Sequence, residues 1–274
     1  MNIHNIINTI METKTPETEN VIEENHKLEK ALEEIQEKNL ELRKINTEKD
    51  KFFSIVAHDL KGPFSGFLGL TEHMMEEGRN MSLDEIQNIV STMRNSAANL
   101  YQLLENLLEW ARFKNGLINF KPESFLLLAR VTENIGMIRA MADKKWIEIR
   151  VDIVPDIMVT FDPNMFRSIL QNLLTNAIKF TPKRGMVTLR SSTIDESHIR
   201  FSVIDTGIGM ESSRIDNLFR LDVDTRRLGT EGESSTGLGL ILCKEFVEVH
   251  GCEFWVESSE GAGSEFHFTI PKSK

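Results

Sequence analysis

His58 and Asp59, adjacent in the run AHDLKGP, are the first residues whose types and spacing could do chemistry. At helical spacing His58 lies opposite the apolar stripe that begins at Phe53, so its imidazole is expected to face solvent. A neutral imidazole nitrogen is a nucleophile near neutral pH, and the adjacent carboxylate can orient the ring or accept its proton. Gly62-Pro63 predicts a helix bend one turn further on. Because one exposed His beside one Asp is usually ordinary surface, the nucleophile needs support from elsewhere.

A second polar group of residues, Asn172, Asn176 and Lys179, repeats at helical spacing in the run QNLLTNAIKF. All three side chains share one helix face. An asparagine oxygen can bind Mg²⁺ and a lysine supplies a point charge for phosphate, so this face predicts a phosphate-binding site. An amphipathic helix with an ordinary polar edge is the alternative.

Two glycine-containing turns adjoin the ends of predicted elements. Asp205, Gly207 and Gly209 end a strand, where a carboxylate could accept the exocyclic amine of adenine and glycines allow close backbone approach. Gly237 and Gly239 open a helix whose first N–H groups suit phosphate oxygens. Each turn alone is weak evidence, since most Gly-x-Gly runs are simple turns.

The segment between these turns, residues 220–236, is polar, contains glycine and has almost no apolar anchors. It predicts a mobile flap over a ligand. Arg226 and Arg227 could reach phosphates when the flap closes, although arginines in such loops are as often solvated.

The run FFSIVAHDLKGP resembles the phosphoacceptor box of histidine kinases, whose usual form is F-x-x-x-x-x-H-E/D-x-R/K-T/N-P. The resemblance implies that His58 is phosphorylated and Asp59 is the general base, with Lys61 and Pro63 as the basic and helix-bending positions. Gly62 departs from the family's Thr or Asn, which helps to place the water that dephosphorylates the partner. We therefore expect weak or absent phosphatase activity, although Gly62 could simply ease the bend.

Four later segments resemble, in order, the N, G1, F and G2 boxes of the histidine-kinase ATP-binding domain, a fold shared with gyrase-type and chaperone ATPases. The resemblance covers residues 17–271, and the chain has no Walker-A run GxxxxGK[ST]. It implies ATP and Mg²⁺ as cofactors, with Asn176 as the Mg²⁺ ligand. The ATP-binding residues that it implies are Asn172, Asn176, Lys179, Phe180, Asp205, Gly207, Gly209, Phe219, Thr236, Gly237, Leu238 and Gly239.

The elements that must position these residues begin with a long helix. Residues 17–50 contain no Gly or Pro, and aliphatic residues recur at seven-residue spacing, which predicts a parallel two-stranded coiled coil. Asparagines at several a positions would weaken it, and a solvated single helix with i,i+4 ion pairs is the alternative. The rows of this seam are Val21, Leu28, Ile35 and Leu42, and Asn25, Leu32, Asn39 and Asn46.

A turn at residues 76–82 and a Ser82–Glu85 capping box predict a second helix that ends near Gly116. Two antiparallel helices of this length cannot bury both faces alone, so we expect a homodimer through residues 17–116 with a four-helix bundle. The loop 114–122 is expected to act as a hinge.

After Pro122, short runs of alternating apolar and polar residues predict half-buried antiparallel strands, with helices between them on one face of the sheet. The predicted fold class is an α helical hairpin forming a dimeric four-helix bundle, preceded by a coiled coil and followed by an α/β two-layer sandwich ATP-binding domain. The predicted strands are 146–153, 158–162, 185–193, 198–205, 252–259 and 264–270, and the helices 127–143, 163–180 and 237–249. The predicted domains are an unassigned N-terminus (1–16), a coiled-coil signalling helix (17–50), a dimerisation and histidine phosphotransfer domain (51–116) and a catalytic ATP-binding domain (122–274).

Bulk properties exclude several classes of protein. The 274 residues, 40% of them hydrophobic, allow two folded units with an extension. A net charge of −10 argues against a general nucleic-acid binder, though not against a nucleotide ligand. Cys243 and Cys252 lack neighbours at metal-binding spacing, so reduced thiols in the cytoplasm are expected. No apolar run is long enough for a membrane span, and the N-terminus lacks a signal-peptide pattern.

The residues and the resemblance together predict a cytoplasmic sensor histidine kinase core. It would autophosphorylate His58 from Mg-ATP by in-line transfer and pass the phosphoryl group to an aspartate of a response regulator receiver domain on another chain. One alternative is a catalytically silent ATP-binding scaffold, and another is a gyrase-type or chaperone ATPase, which would need a carboxylate where Asn172 stands. A coiled-coil adaptor, the third, would explain residues 17–115 but not the glycine turns.

Overall fold

The computed structural model describes residues 16–114, 116, 120–220, 223, 227–233 and 237–273. Within helices, the side chains of residues 16–19, 21–22, 44–45, 48, 51–53, 55–56, 58–59 and 102 also lie outside this description. The predictions made for the side chains of His58 and Asp59, for Arg226 and Thr236, and for residues 1–15 therefore fall outside the described residues.

The first part of the chain is helical. Helix α1 runs from Pro16 to Glu77, and helix α2 runs from Leu83 to Lys114. Helix α1 continues through Pro63, so the proline does not end it, and the bend at this position stays a prediction. The chain divides into two compact units, residues 1–54 and residues 55–274.

Helix α2 begins at the predicted capping box. Ser82 Oγ accepts a hydrogen bond from the backbone N–H of Glu85 (3.3 Å), and Glu85 Oε2 accepts one from the backbone N–H of Ser82 (2.8 Å). These bonds satisfy two N–H groups that the start of a helix would otherwise leave free. The backbone N–H and the hydroxyl of Ser82 hold the pKa of Glu85 below its ordinary value, because they stabilise the ionised carboxylate.

The apolar seam of α1 is exposed in the single chain. Leu28 is 64% exposed, Leu32 51%, Ile35 58% and Leu42 63%. The side chain of Val21, the first seam residue, lies outside the described part of the chain. Such a row of half-exposed aliphatic side chains is typical of a surface that another helix covers.

The second part of the chain is an α/β sandwich, as predicted. Its observed elements lie within two residues of the predicted bounds, except for a short strand and a short helix that the sequence analysis missed, β1 and α5. The elements are β1 (Glu123–Leu126), α3 (Leu127–Lys144), β2 (Glu148–Asp152), β3 (Met158–Phe161), α4 (Pro163–Phe180), β4 (Met186–Thr193), β5 (His198–Asp205), α5 (Ser212–Ile215), α6 (Leu238–Val249), β6 (Phe254–Ser259) and β7 (Gly263–Pro271).

The main sheet is mixed, so the prediction of antiparallel strands throughout was wrong at one edge. The five strands have the order β2-β4-β5-β7-β6, and β2 pairs parallel with β4, with Ile149 opposite Val187. The other neighbours are antiparallel. The chain between β2 and β4 includes α4, and a crossover through a helix lets the second strand return in the same direction. Strands β1 and β3 form a separate antiparallel pair.

The core of the sandwich is centred on an aromatic cluster. Phe166 of α4 is fully buried and contacts four other phenylalanine rings at centroid distances between 5.4 and 6.3 Å. Burial of such rings removes a large apolar area from water, and tilted or edge-on contacts add to it. The four partner rings are Phe125, Phe161, Phe201 and Phe268.

The structure also bears on the two cysteines and on the search for a membrane span. Cys243 and Cys252 are buried free thiols, and burial raises the pKa of each. Within the described helices, no stretch is both long and apolar enough to cross a bilayer.

Candidate active site

Helix α4 begins at an N-cap that joins several parts of the sandwich. Asp162 Oδ1 accepts hydrogen bonds from the backbone N–H groups of Asn164 (2.9 Å) and Met165 (3.2 Å). Its Oδ2 accepts from the backbone N–H of Lys121 (2.9 Å), and its own N–H donates to His250 Nε2 (2.9 Å). A carboxylate cap also complements the positive end of the helix dipole. The cap therefore fixes the helix that carries the polar face.

A cavity of about 590 Å³ opens along the polar face of α4. That volume lies within the usual range of small-molecule sites. Its wall draws on separate segments of the chain: α4, the turn after β5 and the start of α6. The predicted site residues that line the cavity are Asn172, Asn176, Lys179, Phe180, Asp205, Gly209, Gly237 and Gly239.

Asp205, at the end of β5, places a buried carboxylate in the cavity wall. The residue is 5% exposed, and its Oδ1 accepts hydrogen bonds from the N–H groups of Gly207 (2.8 Å) and Ser264 (3.3 Å). Burial raises the pKa of Asp205 to about 6, and the two hydrogen bonds oppose the rise. A carboxylate held in this way can accept a hydrogen bond from an amine on a ligand.

Two glycines in the cavity wall allow close packing against neighbouring residues. Gly209 has a φ of 62°, and a Cβ there would collide with the carbonyl oxygen of Ser259. A Cβ on Gly239 would lie 2.5 Å from Asn172 Oδ1. A larger residue at Gly209 would therefore push the loop after β5 away from the backbone of Ser259, and one at Gly239 would displace the side chain of Asn172.

Lys179 is a buried cation in the cavity wall. The residue is 6% exposed, and its ammonium lies 4.9 Å from the ring centroid of Phe180, within cation–π range. Burial lowers the pKa of Lys179 to about 8, Glu233 opposes this change, and the positive charge of Lys145 adds to it. A lysine with a perturbed pKa in a cavity is a candidate functional group.

Three predicted site residues do not line the cavity. Gly207 contributes instead by donating its N–H to Asp205. Phe219 packs against Phe254 at a centroid distance of 5.5 Å, and Leu238 is buried in the first turn of α6. The remaining predicted residues, Thr236 and the side chains of His58 and Asp59, are not among the described ones.

Helix α2 contributes a further wall of the same cavity, which was not predicted from the sequence. Glu105, Glu109 and Arg112 line it. Glu109 Oε2 accepts a hydrogen bond from Ser168 Oγ (2.9 Å), and burial raises the pKa of this glutamate. Spacing gave no signal, because Ser168 lies 59 residues further along the chain.

The flap segment contributes Arg227, which had only a weak role in the sequence analysis. It lines the cavity, and its Nη1 donates to the carbonyl oxygen of Gly209 (3.3 Å). The described residues contain no group of three or more His, Cys, Asp or Glu side chains that could hold a metal ion.

The fold and the cavity define a class of protein: an α/β sandwich with a cavity of small-molecule size, preceded by two long helices. Two family models refine this class. Residues 48–116 match the His Kinase A (phospho-acceptor) domain, and residues 161–274 match the Histidine kinase-, DNA gyrase B-, and HSP90-like ATPase. The chain belongs to the histidine kinases.

Individual relatives agree with this assignment. The adaptive-response sensory kinase SasA of Synechococcus sp. (strain JA-3-3Ab) is 29% identical over 86% of this chain and 63% of that protein. The circadian input-output histidine kinase CikA of Synechococcus elongatus is 30% identical over 83% of this chain and 30% of that protein. The solved structure of full-length ShkA in complex with AMPPNP is 25% identical, with a TM-score of 0.56 over 82% of this chain and 46% of that one. This chain thus spans less than two thirds of the length of these curated relatives.

Proposed function

We propose that this chain is the catalytic core of a sensor histidine kinase that transfers the γ-phosphoryl group of ATP to His58. The observation that carries the proposal is that Asn176, Lys179 and Asp205 line one cavity, in a chain whose phospho-acceptor match includes His58. The similar ShkA was solved in complex with AMPPNP, which supports a nucleotide as the ligand.

The residues of the cavity suit ATP and Mg²⁺. The carboxylate of Asp205 would accept a hydrogen bond from the exocyclic amine of adenine, and the backbone at Gly209, which carries no side chain, could lie close to the base. Lys179 and the N–H groups at the start of α6 would face the phosphates. The amide oxygen of Asn176 would be a Mg²⁺ ligand, with Asn172 one turn earlier on the phosphate side.

The proposed reaction is an in-line displacement at the γ-phosphorus. A ring nitrogen of His58 forms the N–P bond as the bond from phosphorus to the oxygen bridging the β-phosphate breaks, and ADP leaves. Asp59 orients the imidazole and accepts the proton from its other nitrogen. The cation of Lys179 stabilises charge on the transferring group, so that catalysis is mainly positioning and charge neutralisation.

The proposed partners follow from this chemistry. The phosphohistidine would pass its phosphoryl group to an aspartate of a response regulator, and Gly62 would leave phosphatase activity toward that regulator weak. The exposed seam of α1 supports a homodimer through residues 17–116. We place the reaction in the cytoplasm, where ATP is supplied and thiols stay reduced. The division into domains at 51–116 and 122–274 is part of the same proposal.

A gyrase-type or chaperone ATPase is the competing function for this fold. Those enzymes hydrolyse ATP with a carboxylate one turn before the Mg²⁺ asparagine. Here that position is Asn172, whose Nδ2 donates to the carbonyl oxygen of Ser168 (3.1 Å). An amide cannot act as a general base for water, so the site favours transfer over hydrolysis.

The test is incubation of the purified chain with γ-labelled Mg-ATP. We expect acid-labile, base-stable label on the parent, none on His58→Ala, and parental label on His73→Ala, the control on the same helix. Asp205→Asn should stay folded and lose both label and ATP binding. Label on His58→Ala would contradict the assigned acceptor. ATP binding without label would indicate a silent scaffold, and free phosphate without label would indicate an ATPase.

A further inference from the structure

Lys145, immediately after α3, is a buried lysine that the proposed reaction does not use. The residue is 3% exposed. Its Nζ donates to the carbonyl oxygens of Ile178 (2.9 Å) and Lys179 (3.0 Å) at the end of α4. It also contacts Thr230 Oγ1 (2.7 Å) and Glu233 Oε1 (3.0 Å). A buried ammonium is costly unless it is paired and hydrogen-bonded, and this one is both.

The groups that Lys145 joins belong to separate parts of the site. Residues 229–233 form a turn, closed by a hydrogen bond from Gly229 N–H to the carbonyl oxygen of Glu233 (2.8 Å). Glu233 Oε2 accepts a further bond from the backbone N–H of Glu231 (2.9 Å). The carboxylate of Glu233 therefore holds its own turn with one oxygen and Lys145 with the other.

The turn is hydrogen-bonded directly to Lys179, the residue proposed to face the phosphates. The backbone N–H of Thr230 donates to the carbonyl oxygen of Lys179 (3.0 Å), and Thr230 Oγ1 donates to the carbonyl oxygen of Thr181 (3.1 Å). A Cβ on Gly229 would lie 2.6 Å from Lys179 Cγ. The backbone and the side-chain stem of Lys179 are thus fixed from one side by this turn.

We propose that Lys145 and Glu233 form a clasp that docks the 229–233 turn on the end of α4 and so positions Lys179 for nucleotide phosphate. The inference rests on the proposed function and deepens it. Lys145 and Glu233 are positioning residues, because they act on the ligand through Lys179.

The clasp also surrounds Lys179 with opposed charges. Glu233 favours the protonated amine, whereas the ammonium of Lys145 disfavours it. Loss of Lys145 alone should therefore raise the pKa of Lys179, and loss of the Glu233 charge should lower it. Next to the clasp, Glu231 pairs with Lys183 (2.8 Å). The other charged residues that line the cavity among the described ones are Asp205, Arg167, Arg214 and Arg227, with Glu105, Glu109 and Arg112 of α2.

The opposite signs of these two expected shifts in the pKa of Lys179 distinguish a positioning role of the clasp from a merely structural one. Lys145→Met removes the contact between Lys145 and Glu233, and Glu233→Gln weakens it by removing its charge, so both changes should loosen the same turn. If the clasp were only structural, both changes would hydrate Lys179, and both would raise its pKa. A clasp that acts on Lys179 through its charges predicts shifts of opposite sign.

The experiment measures ATP affinity by titration calorimetry between about pH 7 and 9.5, a range chosen around the pKa of Lys179, which burial lowers to about 8. The variants are Lys145→Met and Glu233→Gln, with Lys144→Met and Glu231→Gln as exposed controls. At pH 7 we expect the clasp variants to bind ATP about tenfold more weakly, a loss of about 1.4 kcal/mol, and the controls to match the parent. The alkaline midpoint of binding should rise in Lys145→Met and fall in Glu233→Gln. Lys179→Met should show no midpoint.

The outcomes distinguish a failure of this inference from a failure of the proposed function. Midpoints that move in the same direction, or clasp variants that bind like the parent, would overturn the inference while the proposed function stands. A parent that binds no ATP would overturn both. If Lys145→Met does not fold, Glu233→Gln decides alone, because only a charge effect lowers the midpoint.

Discussion

The helical part of the chain and the α/β sandwich bury their apolar residues in different ways. In α1 the seam residues Leu28 and Leu42 are more than 60% exposed. In the sandwich, large rings such as Phe166 and Phe201 are completely buried. The sandwich therefore contains a core within one chain, whereas the seam of α1 offers apolar surface that a second helix could cover.

This difference matches the tasks proposed for the two regions. A cavity wall that places Asp205 and Lys179 needs a scaffold that a single chain can complete, because a binding site depends on fixed geometry. A helical region that relays a signal can depend on a second chain, because its stability then responds to how the chains associate. Each prediction below tests one side of the comparison.

The largest expected effect is in the sandwich core. Phe166→Ala should lower the free energy of unfolding by about 3–5 kcal/mol, because it removes a buried ring and leaves a cavity among four others. The loss should not depend on protein concentration, since one chain makes these contacts. Chemical denaturation followed by tryptophan fluorescence would measure it.

The matched control for this change is Phe120→Ala, since Phe120 is 44% exposed. Its loss should be below about 1 kcal/mol. Equal losses for both variants would show that the aromatic cluster is not the centre of stability.

Ile35→Ala should affect association rather than the sandwich. Ile35 is 58% exposed in the single chain, and a symmetric dimer would bury it twice. We expect the dimer dissociation constant to rise roughly thirtyfold, or about 2 kcal/mol per dimer. Sedimentation equilibrium would measure this. The control is Glu37→Ala, because Glu37 lies off the seam, and it should leave the dimer dissociation constant unchanged. A parent that stays monomeric would contradict the expectation that a second helix covers the seam.

Much of the sandwich could be predicted from local pattern. The helix 163–180 and the strand 198–205 were both predicted with their observed bounds, because periodicity and an N-terminal proline are local signals. The four-residue β1 was missed, because Phe125 and Leu126 run directly into the apolar residues that begin α3, and this continuous run hides the alternation of a strand. The parallel direction of β2 was missed because alternation of apolar and polar residues is the same in either direction.

The candidate site likewise contains residues that could be predicted from the sequence and residues that could not. Asp205 and Asn176 stand in compact motifs, so the resemblance to the histidine-kinase boxes was enough to assign both to one site. Lys145 has no motif, and its hydrogen bond to Thr230 joins residues that are 85 positions apart in the sequence. A separation of 59 residues likewise hid the hydrogen bond between Glu109 and Ser168. Residues whose role comes from long-range contacts leave no local pattern.

The smallest expected effect tests whether the helical part is stabilised locally. Ser82→Ala should cost about 1 kcal/mol, because it removes the side-chain oxygen that accepts the N–H of Glu85. Amide hydrogen exchange in the first turn of α2 would report the loss, while exchange in the sandwich core should not change. Ser91→Ala, in the exposed middle of the same helix, is the control and should leave the first turn protected.

The pH dependence of this cap has a definite sign. The pKa of Glu85 is lowered in the folded chain, so the stability that its carboxylate contributes is present above the ordinary pKa of a glutamate. It is lost as the pH falls through the lowered value, because the protonated acid is a weaker acceptor for Ser82. Parental exchange in the first turn should therefore accelerate in acid relative to the intrinsic rate, and Ser82→Ala should show less of this acceleration. Equal acid sensitivity in both chains would mean that the capping box does not hold the start of α2.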